Sequence, residues 1–349
     1  MYNFYPFSDE AQRIAANLAQ RHDAFVHALR VADALPSSMY FAQRDACEYL
    51  VVKRNALDGG TTIGARSPET EAKLTHYHAE RDAATATTRA TEAALAEIIS
   101  QYRALKLPLA TAKAARILRE LDFARVLGAD LMLVGTNAFA AYQMEAGCRF
   151  QGLLDETDDF DLAWCRGAGI ALATRSTDAR LPSLLAILKR IDPNYRINKS
   201  KPFQALASDG YEVELLVAPS LFKTLPRGDA FSPMPIFHEQ EWLLRGRPVR
   251  HVVVSRDQKT CPIFAPDPRW MALHKMWLAD KPERNANKRN KDRSQGMILL
   301  DAVKERMTAA YPLDVNFVLD LPEELRTYFN SWAASRQFIP GEATPPSLR

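Results

Sequence analysis

Two aspartates occupy alternate positions in the segment TDDFDL, residues 157–162. Alternate residues of a β-strand share a face, so Asp159 and Asp161 are predicted to project together while Phe160 and Leu162 enter the core. Two neighbouring carboxylates repel each other unless a cation lies between them. Oxygen ligands of this kind suit Mg²⁺, which binds one or two carboxylates together with substrate phosphates. The pair therefore predicts a magnesium site, and the alternative is a strand end whose acids are solvated.

A second acidic strand is predicted at Tyr211–Val217, where Glu212 and Glu214 stand on alternate positions although the other predicted strands are apolar. If the two acidic strands are neighbours, Glu214 lies beside Asp159 and Asp161. Three carboxylates on adjacent strands can form a two-metal site, which activates an attacking oxygen and stabilises a leaving pyrophosphate. The alternative is an edge strand whose acids face water.

A glycine corner precedes the aspartates in the chain. Gly135, Thr136 and Asn137 follow the apolar run Leu131–Val134, a predicted buried strand, and open a predicted helix at Ala138–Glu145. Backbone N–H groups at a helix start, beside a glycine that permits close approach, suit a bound phosphate. A plain turn at the end of a strand is the alternative.

The segment after Pro266 contributes a concentration of basic residues, Lys275 among them. Spacings of four and three place Arg284, Lys288 and Lys291 on one face of a predicted helix. Such a face would neutralise the charge of a triphosphate if it lined the same site. The alternative is a solvated basic face.

Aromatic residues accompany this basic stretch. His274 stands among apolar residues, which predicts a packed, hydrogen-bonded core histidine rather than a catalytic one. Trp242, Trp270 and Trp277 are predicted to belong to the core between domains, with stacking on a nucleobase as the alternative.

The composition is that of an ordinary globular protein, with 45 basic and 42 acidic residues and a net charge of +3. This balance gives no global argument for binding nucleic acid or membranes. The four cysteines form no CxxC pair. No basic and apolar leader opens the sequence, and no apolar run approaches the ~18 residues of a membrane span. We therefore expect a cytoplasmic protein with reduced thiols and no membrane partner.

Helical periodicity dominates residues 1–107, the predicted helical N-terminal region. One helix is predicted from Ser8 to Leu35 and a second from near Ser38. A third follows the N-cap and proline pair Ser67-Pro68 and runs to about Leu105.

Residues 108–265 form the predicted core domain, 266–338 a C-terminal helical region and 339–349 a disordered tail. The core is expected to hold helices at 112–127 and 181–191. Its further strands are predicted at 160–163, 195–198 and 249–254, and two helical stretches are expected within 267–306.

The motifs and their order resemble the polymerase-β nucleotidyltransferases: a strand, Gly-Thr-Asn at a helix start, Asp-x-Asp, and an acid on a later strand. More specifically, four stretches are similar to a bacterial group of nucleotidyltransferase-domain proteins that is distantly similar to the AbiEii-type toxins. They are GTNAFAAYQMEAGCRF, TDDFDLAW, DGYEVELLVAP and PDPRWMALHKMWLADKPERNANKRNKDRSQG, and the resemblance covers residues 110 to 325 or so.

The resemblance implies an α+β fold, in which a polymerase-β-like core of mixed sheet and helices is flanked by N-terminal and C-terminal helical regions. It implies that two Mg²⁺ ions, replaceable by Mn²⁺, are held by three catalytic carboxylates: Asp159, Asp161 and Glu214. The last stands where the family usually has Asp, so its longer side chain would contact metal directly, through water, or not at all.

The resemblance also implies nucleotide-binding roles, which fall on Gly135, Thr136, Asn137, Lys275 and Lys288. The expected reaction moves a nucleoside monophosphate from a nucleoside triphosphate, ATP among them, to a hydroxyl of an acceptor. That acceptor could be tRNA or another RNA, a protein or a small molecule, and the oligomeric state is open. A catalytically inactive binding module of the same fold is the alternative function.

Overall fold

The computed structural model describes residues 3–55, 57–152, 159–165, 183–225 and 238–341. The chain divides into two compact units, which are described separately below. One consists of Ala16–Ala104, and the other combines Met1–Ala15 with Leu105–Arg349.

The strands of the described residues are short, and most belong to the second of these units. They are β1 (Phe4–Pro6), β2 (Ser38–Arg44), β3 (Cys47–Lys53), β4 (Thr61–Ala65), β5 (Leu109–Ala110), β6 (Leu131–Val134), β7 (Cys148–Phe150), β8 (Asp159–Trp164), β9 (Arg196–Ile197), β10 (Gln204–Leu206), β11 (Glu212–Val217), β12 (Val249–Ser255) and β13 (Thr260–Ala265).

The α-helices of the same residues vary widely in length. They are α1 (Asp9–Ala34), α2 (Pro68–Ala104), α3 (Ala112–Phe123), α4 (Phe139–Glu145), α5 (Leu184–Ile191), α6 (Pro268–Ala279), α7 (Ala286–Arg306), α8 (Val315–Asp320) and α9 (Glu323–Ser335). No helix among the described residues is both long enough and apolar enough to cross a membrane.

The smaller unit is not all helical, so the prediction of a second helix from near Ser38 is wrong. The segment forms a hairpin, in which β2 pairs antiparallel with β3 and β3 with β4. Its two-residue turn includes Asp45 at a φ of 53°, a conformation that favours a tight hairpin. Leu50 and Val51 are buried, and these apolar and β-branched side chains stabilise the sheet. The two long helices on either side of the hairpin, α1 and α2, are confirmed.

The larger unit contains a mixed sheet with the strand order β6-β8-β11-β10-β9. Strand β8 pairs parallel with β11 and antiparallel with β6. The face of the mixed sheet that packs into the core is apolar, and the side chains of Leu133, Phe160 and Val213 on it are completely buried. Helices lie before, within and after this sheet in the chain, so the predicted α+β class with a mixed sheet is confirmed.

A second sheet of the same unit has the order β13-β12-β5. Strand β12 was predicted, whereas its antiparallel partner β13 was not, because the run TCPIFA contains a proline and shows no alternation. Every residue of β13 is buried, which explains the missing alternation.

Helices α6 and α7 confirm the two helical stretches predicted within 267–306. Asp267 caps α6 by accepting a hydrogen bond from the Arg269 backbone N–H at 2.9 Å. The two helices pack closely at Gly296, where a Cβ atom would lie 2.6 Å from the carbonyl oxygen of Ala272. This close packing fixes the basic side chains of α7 relative to those of α6. The predicted tail lies outside the described residues from residue 342 onward.

Candidate active site

The acidic side chains of β8 and β11 share one face of the mixed sheet. The two strands run parallel with Glu212 opposite Asp159 and Glu214 opposite Asp161. All four acids are partly exposed while the residues that alternate with them are buried, so the predicted alternation is confirmed. Residues 157 and 158 of the aspartate segment lie outside the described residues.

The Gly135 corner lies against this carboxylate face because Val134, the last residue of β6, pairs with Asp161. Gly135 has φ 76° and ψ −158°, a backbone region that is almost restricted to glycine. A Cβ atom at this position would lie 2.6 Å from the Oδ2 atom of Asp161. The absence of a side chain is therefore what allows the turn and the carboxylate to meet.

Two side chains of the corner tie it to its surroundings. Asn137 donates a hydrogen bond from Nδ2 to the carbonyl oxygen of Asp159 at 2.9 Å, which joins the turn to β8. Thr136 is buried, and its hydroxyl donates to Oε1 of Gln295 on α7 at 3.4 Å. The predicted nucleotide-binding residues of the corner thus lie together, with Thr136 turned inward.

Lys288 joins the basic helix to the aspartates. Its Nζ atom lies 2.5 Å from Oδ2 of Asp159, in a pair whose side chains are 40% and 21% exposed. Partial burial lowers the pKa of the ammonium, but the hydrogen bond to Asp159 and the charge of that carboxylate outweigh burial and raise the pKa above its ordinary value. The structure therefore brings Lys288 to the carboxylate face.

Lys275 and Arg284 belong to a buried ion cluster centred on Asp292. The Lys275 ammonium bonds Oδ1 of Asp292 at 2.6 Å, and the Arg284 guanidinium bonds Oδ2 at 2.7 Å. Lys275 is only 5% exposed and Asp292 is completely buried. The cluster holds the Lys275 ammonium on Asp292 while its charge acts on Asp161, and its predicted contact with a triphosphate stays a prediction.

The predicted common face of Arg284, Lys288 and Lys291 is also revised. Arg284 lies in the turn before α7, whose N-cap is Asn285, and so it is not part of the helix. The carboxylate of Asp292 draws the guanidinium inward in spite of the helical spacing.

Gln204 on β10 is a site residue that the sequence reasoning missed. Its side chain is buried, and Nε2 donates to Oε1 of Glu214 in a short hydrogen bond and to Oε2 of Glu212 at 3.3 Å. Asn198 in turn donates from Nδ2 to Oε1 of Gln204 at 2.9 Å. The signal in the sequence was a single polar side chain, Gln204, between the apolar residues Phe203 and Ala205, shortly before the acidic strand β11.

Charge is crowded at Asp161. Burial, followed by the negative charges of Asp159 and Glu214, raises its pKa from 3.8 to about 7, although the charges of Lys275 and Lys288 oppose the shift. The negative charges of Asp159 and Glu214 are therefore close enough to Asp161 to disfavour its ionised form. A divalent cation would relieve that repulsion.

The fit of a metal ion depends on how these acids are held. Among the residues that the structure describes, no group of three or more His, Cys, Asp or Glu side chains is assembled as a metal-binding cluster. The carboxylate of Glu214 is held by Gln204, and that of Asp159 by Lys288. The aspartate pair nevertheless suits an ion that takes its remaining ligands from substrate phosphates and water.

The aromatic residues near α6 are part of the core. Trp242 and Trp277 make an edge contact with ring centroids 5.2 Å apart, and the ring of His274 lies 5.7 Å from that of Trp277. Burial and the neighbouring Lys275 charge lower the pKa of His274 to about 4. Trp270 packs against Phe317 at 5.9 Å. These contacts confirm the packed histidine and the core positions of Trp242 and Trp270, whereas Trp277 is only partly buried.

Comparison with known proteins identifies the family of the chain. Residues 112–316, more than half of the chain, match the model of a protein family described as nucleotidyltransferase. The crystal structure of an antigenic nucleotidyltransferase-like protein from Paracoccidioides brasiliensis is similar with a TM-score of 0.33 and 13% identity, covering 65% of this chain and 91% of that chain. No curated protein matches the sequence.

Proposed function

The chain belongs to this nucleotidyltransferase family, and from that premise we propose that it is an active, magnesium-dependent enzyme. It moves a nucleoside monophosphate from a nucleoside triphosphate to a hydroxyl of an acceptor. The observation that carries the proposal is the contact between the Gly135 corner and Asp161, where a Cβ atom would come within 2.6 Å of the carboxylate. A phosphate bound at this corner would therefore lie directly beside the aspartate pair.

The corner and the basic helix have complementary roles in binding the triphosphate. Backbone N–H groups that follow Gly135 bind phosphate oxygens, and Asn137 holds these groups against β8 through its 2.9 Å hydrogen bond to Asp159. Lys288 supplies a cation at the same face. The positive charge of Lys275 partly offsets the repulsion between Asp161 and the neighbouring carboxylates.

Asp159 and Asp161 are the residues that would hold Mg²⁺ or Mn²⁺, with Glu214 as the third acid. When bound, the ion neutralises phosphate charge and favours ionisation of the attacking hydroxyl. Gln204 orients the Glu214 carboxylate toward this face. The chain thus contributes mainly positioning and charge, as is usual in phosphoryl transfer.

The acceptor is a hydroxyl of tRNA or another RNA, of a protein or of a small molecule, and ATP is one of four donors to test. We propose the cytoplasm as the compartment because the cysteines of the described residues are all free thiols. The resemblance to AbiEii-type toxins stays a prediction.

The test is incubation of the purified chain with each α-labelled nucleoside triphosphate, Mg²⁺ and either total RNA or a cell lysate. We expect pyrophosphate release and one labelled acceptor class, both abolished in Asp159→Asn and Asp161→Asn. Asp209→Asn is the matched control, since Asp209 is an exposed aspartate whose ion-pair partner is Lys113 and to which no metal-binding role is assigned. Equal turnover in the aspartate variants and the control would exclude the assigned site.

A binding module without catalysis is the second candidate. It is favoured by the engagement of Asp159 with Lys288 and of Glu214 with Gln204, which leaves no assembled cluster of three acids among the described residues. Triphosphate binding without pyrophosphate release, with every donor and acceptor tested, would favour this candidate over the enzyme.

A further inference from the structure

The ion pair between Lys288 and Asp159 brings an ammonium to the carboxylate that would hold a metal ion. The two charged atoms are 2.5 Å apart, close enough for a charge-assisted hydrogen bond. The carboxylate oxygen that bonds Lys288 is therefore occupied by a cation that belongs to the protein itself.

The cations around the site differ in their freedom to move. Lys275 and Arg284 are bonded to Asp292, whose carboxylate is completely buried, and withdrawing either would leave part of that buried charge uncompensated. The Lys288 side chain is 40% exposed and sits in the first turn of α7. A long lysine side chain at such a position can exchange partners at a lower cost than the buried cations, since solvent screens a partly exposed ion pair.

We propose that Lys288 is a displaceable counter-ion that competes with the divalent cation for Asp159 and moves to the triphosphate when nucleotide binds. This inference rests on the proposed function, because it requires both ligands to meet at the carboxylate face. Its consequence is that the cation binds weakly to the nucleotide-free protein. Cation and nucleotide then strengthen each other's binding, because the nucleotide removes the competitor.

The experiment measures Mn²⁺ binding to the full chain without nucleotide, by the electron paramagnetic resonance signal of free Mn²⁺. The variant Lys288→Met removes the competing charge and keeps the length of the side chain. We expect Mn²⁺ to bind at least tenfold more tightly to this variant than to the unsubstituted protein. Lys288→Arg, which keeps a cation, should bind Mn²⁺ as the unsubstituted protein does.

Two further variants show where the gain arises. Lys304→Met removes the same charge at the other end of α7, about 24 Å away at 1.5 Å per residue, and should leave Mn²⁺ affinity unchanged. Adding Asp159→Asn to Lys288→Met should cancel the gain, as expected if the two residues act on one another. Mn²⁺ affinity that is equal in Lys288→Met and the unsubstituted protein would overturn the inference, as would a gain that persists without Asp159.

Folding and function are separated by independent measurements. Urea unfolding followed by tryptophan fluorescence verifies each variant, and Lys288→Gln replaces Lys288→Met if the latter does not fold. If the nucleotide-transfer assay fails and Lys288→Met still binds Mn²⁺ more tightly through Asp159, the counter-ion role stands while the proposed function falls. If transfer is observed and the affinities are equal, the inference alone falls.

Discussion

Removing the charge of Asp161 should stabilise the metal-free protein at alkaline pH. The folded-state pKa of this carboxyl, about 7, lies above its ordinary value of 3.8 because of burial and the charges of Asp159 and Glu214. Between these two values the folded chain binds more protons than the unfolded chain. The free energy of unfolding therefore falls as pH rises from about 4 to about 7 and is lowest, for this group, above that range.

The size of the effect follows from the shift. Each pKa unit corresponds to about 1.4 kcal/mol, so the shift of Asp161 from 3.8 to about 7 sets a ceiling of about 4 kcal/mol. Asparagine resembles the protonated aspartic acid in shape and lacks the charge. Asp161→Asn should therefore raise the free energy of unfolding by about 2–4 kcal/mol at pH 8 and by much less at pH 4.5.

Asp159→Asn is the matched comparison, because Asp159 has an ion-pair partner in Lys288. Removing its charge relieves repulsion at Asp161 and also leaves the ammonium without this carboxylate. We therefore expect a smaller gain than in Asp161→Asn. A smaller gain in Asp159→Asn is the result expected from the loss of this ion pair.

The assay is urea unfolding in a chelating buffer at both pH values, followed by fluorescence. All five tryptophans belong to the unit that contains the site, so the signal reports that unit. Adding Mg²⁺ at pH 8 should stabilise the unsubstituted protein and not Asp161→Asn. An Asp161→Asn gain that is the same at pH 4.5 and pH 8 would refute the assigned charge crowding.

Three further substitutions test other parts of the site. Glu214→Gln should reduce the rate of nucleotide transfer at least tenfold more than Glu212→Gln, because Glu214 is the glutamate whose charge acts on Asp161. Equal losses in turnover assays would contradict the assignment of Glu214 as the third acid. Gly135→Ala should abolish transfer and lower the free energy of unfolding by about 1–3 kcal/mol, since its backbone region excludes other residues; unchanged turnover would refute the close approach. Lys275→Met should lower the free energy of unfolding by about 3–5 kcal/mol in urea titrations, because it leaves the buried Asp292 charge without one of its partners. A change of less than about 1 kcal/mol would exclude a structural role for this pair.

Local patterns predicted the part of the site that comes from continuous segments. The strand Leu131–Val134 has the predicted bounds, and the alternation of Asp159 and Asp161 placed both on one face. A short-range signal was enough here because strand geometry alone decides which side chains share a face. The prediction that Glu214 lies beside the pair also required the two acidic strands to be neighbours, which the parallel pairing of β8 and β11 confirms.

The same local reasoning failed where distant pairing decides the structure. The segment from Ser38 was predicted as a helix because apolar side chains in a short run fit either periodicity, and the turn at Asp45 was not recognised. Gln204 was missed because its importance comes from a partner strand, not from its own neighbours. Arg284 has helical spacing from Lys288, but its ion pair with Asp292 determines where its charge lies.

The placement of the two lysines explains why charge counting along the chain is a poor guide to binding. Lys275 and Lys288 both come from the basic C-terminal stretch, and sequence alone gave them the same role. In the fold, Lys275 is bonded to a buried carboxylate, whereas Lys288 is bonded to a partly exposed aspartate that lies 129 residues away in the sequence. A cation contributes to ligand binding only if its present partner can be given up cheaply, and that cost depends on burial. The burial of each partner, rather than the spacing of the lysines, therefore separates a structural cation from one that can serve a substrate.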